Sequence, residues 1–213
     1  MVNVASAVRE RPYRGVQAAD RLAARRARLL DAGLDLLGAD PQDMTELTVR
    51  GVCRRAGVAA RYFYESFADK DAFVSAVFDW VITDLATSTQ SAVAAVAPAQ
   101  QTRAGMAHLV KTIAGDARIG RLLFSAELAN AVLVRKRVES SALFAMLSGR
   151  HVENALRVPT NDRIRAAAHF VVGGVAQTIS AWLAGAVRLN PDQLVDQLTA
   201  LLDELADPAL YRD

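Results

Sequence analysis

The sequence predicts an all-α chain with an N-terminal helix-turn-helix module and a larger helical domain behind it. Three observations carry this. No segment of the 213 residues keeps the alternating pattern of a half-buried strand, whereas apolar residues recur at three- and four-residue spacing through most of it. Pro98, Pro159, Pro191 and Pro208 all fall between such runs, where proline is tolerated at helix starts and boundaries. The stretch from Thr48 to Lys70, TVRGVCRRAGVAARYFYESFADK, has the turn chemistry of two short helices and the start of a third.

Residues 1–18 read as an arm, charged and without a sustained period, with Pro12 and Gly15 in it. A first helix is expected over 19–38. Leu22, Leu29, Leu30, Gly33, Leu34 and Leu37 share one face, Arg21, Arg25 and Arg28 lie largely off it, and Gly38 and Pro41 end it.

The helix pair is expected over about 47–66. Val49, Val52, Cys53 and Ala56 fall at i, i+3, i+4 and i+7, so one face of the first member is apolar. Thr48 is placed to cap it with its hydroxyl, and Gly57 to close it in a left-handed conformation. In the second member, Phe63 and Phe67 are apolar, which leaves Arg61, Tyr62 and Tyr64 for another surface. A pair of this kind lays its second helix in the DNA major groove.

A long helix follows from an Asp69 cap to about Val93, with Phe73, Val77, Trp80, Val81 and Leu85 as apolar members. At 1.5 Å per residue it is on the order of 35 Å long, enough to tie the first module to a second. Residues 86–101 are Ala-rich, with Pro98, and read as the end of that helix plus a loop. Further helices are expected near 101–114, 117–129, 130–156, 161–187 and 191–206. The domains are therefore 1–18 (arm), 19–68 (helix-turn-helix), 69–206 (helical domain) and 207–213 (tail).

Composition narrows the function. A hydrophobic content of 52% supports a sizeable core, and a net charge of +2 excludes a general polycation. The charge is uneven: residues 1–70 hold 12 Lys and Arg against 9 Asp and Glu, and residues 1–28 hold seven Arg against two acidic residues. A basic N-terminal part fits a nucleic-acid face, although the excess of 22 Arg over 3 Lys also fits genomic base composition. Cys53 is the only cysteine, so an intrachain disulfide and a cysteine metal site are excluded, and a reducing cytoplasm fits. The first residues lack the apolar core of a secretory signal. Residues 170–187 are eighteen residues without a formal charge, near the length of a membrane span. Gln177, Thr178, Ser180 and three glycines point instead to a helix covered within a soluble assembly, with no membrane partner.

The chain resembles the TetR family of bacterial transcriptional repressors. The resemblance covers about 19–80 and rests on LLDAGLDLLG followed by LTVRGVCRRAGVAARYFYESFADKDAF, with a looser match at AWLAGAVRLNPDQLVDQLTALL. It implies a homodimer on a palindromic double-stranded DNA operator, with a C-terminal ligand-binding and dimerisation domain. It also implies that the last two helices pair with those of the partner, and that a small molecule shifts the fourth helix and releases DNA. Two positions depart from the family pattern. Gly51 stands where a polar residue often completes a capping box, and Tyr62 where a small hydroxyl residue is usual.

Six DNA-contact candidates follow. Arg61 is the base-reading candidate, through a bidentate guanine contact, with a phosphate contact as the alternative. Tyr62 is set to touch a thymine methyl or base edge, or to pack on Arg61. Tyr64 and Lys70 match the family's phosphate-clamping positions, and Thr48 adds a hydroxyl. Arg50, like Arg54 and Arg55, is a phosphate contact or part of a solvated face. Arg9, Arg11 and Arg14 are candidates for a minor-groove arm. For the ligand pocket the candidates are Trp80, Met106, Phe124, His151 and Phe170, with plain core or dimer packing as the alternative, and a mostly apolar ligand expected. Asn154 and Trp182 are further polar-tipped candidates. For the dimer interface they are Gly173, Gly174, Leu194, Leu198 and Leu201. His108, His151 and His169 lack metal-ligand spacing, and no catalytic motif is recognisable. The expectation is a regulator and not an enzyme, with no cofactor and no metal. A constitutive regulator without a ligand and an all-helical enzyme are the competing readings.

Overall fold

A computed structural model describes residues 14–40, 44–125, 130–156, 161–205 and 207–211. Among the described residues there are nine α-helices and no strand. They are α1 (Arg14–Leu37), α2 (Val49–Ala56), α3 (Ala60–Ser66), α4 (Lys70–Ala94), α5 (Gln101–Gly115), α6 (Ala117–Phe124), α7 (Ala131–Leu156), α8 (Asp162–Leu183) and α9 (Pro191–Glu204). The 25 residues of α4 span roughly 37 Å.

The caps explain most boundaries. The Asp69 carboxylate accepts from the Ala72 N–H, the Asn161 amide oxygen from Ile164 and the Asn130 amide oxygen from Val132 and Leu133. Asn190 and Gln193 form a reciprocal capping box behind Pro191. Three ends differ from expectation. The sixth helix stops at Phe124 and not near 129, because Ser125 takes an extended backbone at φ −69° and ψ 125°. The first helix starts at Arg14 and not at residue 19, because the helix-forming run from Val16 onward propagates back and Gly15 falls in the first turn, where little is lost. The eighth stops at Leu183 and not at 187, because Gly185 turns the backbone to φ 74°.

The main core is continuous between the two parts of the chain. Leu29, Leu37, Leu47, Val52, Phe63 and Phe67 of the N-terminal module pack with Phe73, Val77 and Phe78 of α4. The same cluster continues into Leu122 and Leu123 of α6 and Leu133 of α7. Phe63, Phe67 and Phe73 stack edge-on or tilted, with centroids 5.1–5.5 Å apart, the arrangement aromatic rings favour. A second, smaller core joins α5 and α9 through Val110, Leu194, Val195 and Leu198, with Val175 and Trp182 of α8 packed against it.

Two polar links, through Arg118 and Arg121, tie the helical domain to the module, and a third, through Lys136, braces the helical domain internally. The Arg118 guanidinium of α6 pairs with Asp35 on α1 and with Asp116 at its own helix start, and lies 3.6 Å from Asp31. Arg121 donates to the Gly38 carbonyl at 2.6 Å. Lys136 on α7 holds Asp79 on α4 at 2.7 Å. The end of α6 is closed by Arg137 of α7, which donates to the carbonyls of Arg121, Leu122 and Ser125.

Candidate nucleic-acid interface

The helix pair is fixed from beneath. Val52, Cys53 and Ala56 of α2 and Phe63 of α3 are buried, and Phe67, the residue closing α3, is buried beside them. Burial raises the Cys53 thiol above its usual range, as expected for an inert core thiol. The turn is closed by Gly57 at φ 64°, whose N–H reaches the Arg54 carbonyl while that of Val58 reaches Cys53. Only glycine adopts that φ without strain.

The first turn of α2 is built differently from a capping box. Thr48 accepts from the Gly51 N–H at 3.0 Å, as its position predicts. The reciprocal bond goes to the backbone: the Thr48 N–H donates to the Glu46 carbonyl at 2.7 Å. A Cβ at residue 51 would stand 2.2 Å from that carbonyl oxygen. Gly51 is therefore where the carbonyl, not a side chain, completes the cap.

On the outer side, Thr48, Arg50, Arg61, Tyr64 and Lys70 are exposed, Tyr64 to 62%. Tyr64 turns only an edge to Phe63, at 5.5 Å between centroids, so it is not core. Arg54 and Arg55 face carboxylates: Arg54 pairs with Glu46, and Arg55 with Asp35 at 2.9 Å. Tyr62 is half-buried and packs on Arg61, whose guanidinium lies 4.7 Å from its ring centroid and donates to its hydroxyl at 2.7 Å. That hydrogen bond and the adjacent charge hold the Tyr62 phenol below its usual range.

Two contributors on α1 were not legible in the sequence. Arg25 places its guanidinium 4.1 Å from the Tyr62 centroid. Arg26 lies 4.5 Å from the Phe67 centroid and donates to the Ser66 carbonyl at 2.9 Å, closing the end of α3. From the sequence, Arg25 is placed only off the apolar face of the first helix, and Arg26 carries no role. Arg9 and Arg11, and the side chain of Arg14, lie outside the described residues.

The pocket candidates are not brought together. Trp80 is 39% exposed on the outside of α4, in an open groove beside Arg26 and Leu30 of α1. Met106 packs on the α9 core and Phe124 on the main core. Phe170 is 68% exposed on α8. The Trp182 indole N–H is used locally, donating to the Leu189 carbonyl at 2.8 Å. The side chains of His151 and Asn154 lie outside the described residues. A half-open groove of about 400 Å³ does lie between α7 and α8, floored by Ala142, Ala145 and Met146 and edged by Arg150, Arg165 and His169. His108 faces Ser88 across α4 and α5 at 2.8 Å. Among the described residues no three His, Cys, Asp or Glu side chains converge as a metal site.

The dimer candidates divide. Gly173 and Gly174 lie on an open face of α8, with no atom within 4 Å of a built Cβ, and Leu201 is exposed on α9. Leu194 and Leu198 point inward onto Val110 of α5 and are fully used by the subunit's own core. They are not part of an exposed stripe, because α5 packs along the α9 face that carries them. By length and composition α8 is the one described helix able to cross a membrane, and only 11% of its apolar window is buried within the chain.

No protein-family profile and no curated protein matches the chain. Solved structures do. A TetR-like transcriptional regulator from Rhodococcus sp. RHA1 aligns at TM-score 0.60 and 17% identity, covering 89% of this chain and 97% of its own. A TetR-family transcriptional regulator from Streptomyces coelicolor aligns at 0.63 and 19%, covering 89% and 86%. The transcriptional regulator FadR from Bacillus subtilis, in complex with stearoyl-CoA, aligns at 0.61 and 17%, covering 85% and 97%. The likeness runs through both the helix-turn-helix module and the helical domain, and the chain has the fold of the TetR-like transcriptional regulators.

Proposed function

We propose that this chain is a cytoplasmic, DNA-binding transcriptional regulator, acting as a homodimer on a palindromic operator and released by a small, mostly apolar ligand. One observation carries the DNA reading. The set Thr48, Arg50, Arg61, Tyr64 and Lys70, on the helix pair and at its two flanks, is exposed over a packed base that includes Phe63 and Phe67. Donors on a rigid helix suit phosphate oxygens and base edges. The uncovered face of α8, with Phe170, Gly173 and Gly174, supports a second subunit there, because an apolar strip of that kind is covered in a stable soluble protein.

The test is selection from a random duplex pool, followed by titration at several salt concentrations. The expected site has two half-sites related by a dyad. Lys70→Ala is expected to weaken all sequences alike and to reduce the salt slope by about one. Arg61→Ala is expected to lose roughly 1–3 kcal/mol of discrimination at one position. Equal affinity for all sequences at every salt concentration would refute the reading.

A regulator without a ligand is the second reading, favoured by the scatter of Trp80, Met106, Phe124 and Phe170 over four surroundings. Stearoyl-CoA, bound by the FadR neighbour, is the first probe. A ligand that prefers the DNA-incompetent shape must lower DNA affinity. If stearoyl-CoA, stearate and shorter acyl chains all leave the operator complex unchanged, the coupling to an acyl ligand is wrong and the constitutive reading gains.

A further inference from the structure

We propose that Arg25, on α1, is a specificity-determining positioning residue: by stacking on Tyr62 it fixes the ring on which Arg61 is held, and so sets the base that Arg61 and Tyr62 select together. The inference rests on the DNA-binding reading and goes beyond it, because it places part of the base choice outside the recognition helix.

Two guanidiniums approach one ring. Arg25 lies 4.1 Å and Arg61 4.7 Å from the Tyr62 centroid. They come from different elements, α1 and α3, so the ring is held by the fold and not by its own helix alone. The Arg25 Nε is buried and has no hydrogen-bond partner. What keeps this guanidinium in place is therefore the ring, not a hydrogen bond through that nitrogen. A buried donor left unpaired is costly, and so is the meeting of two like charges, so the stack has to hold against both. Arg26 repeats the arrangement one residue on, over Phe67, which shows that this side of α1 is shaped to grip α3.

The consequence is chemical. The Tyr62 hydroxyl accepts from Arg61, so its own proton stays available to a further acceptor. Arg61 keeps its remaining N–H groups. The pair then offers the Arg61 N–H groups and the Tyr62 O–H as donors, with a single phenol lone pair left beside them. Guanine is the base that presents two acceptors, N7 and O6, on its major-groove edge; adenine and thymine present one acceptor beside a donor or a methyl group. A ring held still lets both donors meet both acceptors. A ring free to rotate lets Arg61 follow it, and single-acceptor bases then compete.

A phosphate contact by Arg25 predicts something else, a loss common to all sequences. The experiment separates the two. The unmodified full-length protein, Arg25→Gln, Arg25→Lys, Tyr62→Leu and Arg25→Gln with Tyr62→Leu are each taken through selection from a random duplex pool, with melting curves as the check on folding. The unmodified protein should select guanine at one position of each half-site. Replacing that guanine with 7-deazaguanine should remove most of the preference. Arg25→Gln should reduce the guanine preference there by roughly two- to fivefold, the size of an exposed cation–π contact, and leave other positions alone. Arg25→Lys keeps the charge without the planar stack, so it should not restore the preference. In the Tyr62→Leu background, Arg25→Gln should change the base profile no further. The inference is overturned if Arg25→Gln weakens every sequence equally, if Arg25→Lys restores the profile, or if the effect persists without Tyr62. If the unmodified protein enriches no sequence, the DNA reading itself falls and this inference with it, a result that needs none of the Arg25 variants.

Discussion

Replacing Gly51 with alanine sets two physical arguments against each other. Helix propensity alone predicts stabilisation, since alanine is better than glycine by roughly 0.8–1 kcal/mol in a helix interior. The packing predicts the reverse. The new Cβ would lie 2.2 Å from the Glu46 carbonyl oxygen, and real contacts of this kind essentially never fall below 3.0 Å. The turn before α2 must therefore open by roughly 0.8 Å. The neighbour is backbone and cannot swing aside as a long side chain does.

The same carbonyl accepts the Thr48 N–H at 2.7 Å. An opening of that size takes the bond to its limit, at a cost of about 0.5–1.5 kcal/mol. Strain from overpacking adds about 1–3 kcal/mol. After the propensity gain is subtracted, Gly51→Ala should destabilise by about 0.5–3.5 kcal/mol. For a chain of this length, 1 kcal/mol moves the midpoint by about 2–4 °C. Thermal melting followed by circular dichroism reads this directly, with Gly115→Ala as the control, because no atom lies within 4 Å of a Cβ there. The control should melt at or slightly above the parent. A Gly51→Ala variant that also melts at or above the parent would refute the carbonyl-cap argument.

Three more perturbations test the links between the parts. The Asp35 carboxyl is pushed up by burial, but hydrogen bonds from Arg55 and Arg118 outweigh this and hold it below its usual 3.8. Its stabilisation is present above that value and drains away as pH falls through the lower, folded value. Asp35→Asn should flatten this acid limb of the stability curve and lower stability at neutral pH by about 1–2 kcal/mol; acid titrations that superimpose with the parent's would exclude the role. Arg137→Met should cost about 2–3 kcal/mol by stripping the donor from three carbonyls at the end of α6, which urea unfolding measures. Gly174→Glu places a charge on the open face of α8 and should turn the proposed dimer into a monomer by light scattering; an unchanged mass would move the interface elsewhere.

What was legible in the sequence follows from what local chemistry can encode. Thr48, Gly57 and Asp69 are caps whose partners lie within three or four residues, so their roles are readable from spacing. Phe63 on α3 and Phe67 at its end lie four residues apart, and both are buried. Leu194 and Leu198 show the limit of the same reasoning. Their spacing identifies an apolar stripe but not which neighbour covers it, and α5 of the same subunit does so. Gly51 is subtler still. As part of a helix it looks like a weak residue, and only the path of the chain at Glu46 makes it necessary. Arg25 and Arg118 act through partners 37 and 83 residues away, Tyr62 and Asp35, and no periodicity marks such pairs.

The links around Asp35 also bear on how the helical domain is connected to the helix pair. The α4 route is covalent: the helix begins three residues after Phe67 and carries Phe73 and Val77 into the main core. The second route is not. Asp35 on α1 is shared between Arg55 of α2, within the helix pair, and Arg118 of α6, within the larger domain. One carboxylate with two guanidinium partners is divisible: if α6 withdraws Arg118, Asp35 is left to Arg55 alone and binds it more firmly. On the proposed DNA-binding reading, a shift of α6 that loosens Arg118 from Asp35 would leave Arg55 more tightly held and less available to a phosphate. At its far end α6 is anchored by Arg137 to α7, the helix whose later turns line the α7–α8 groove.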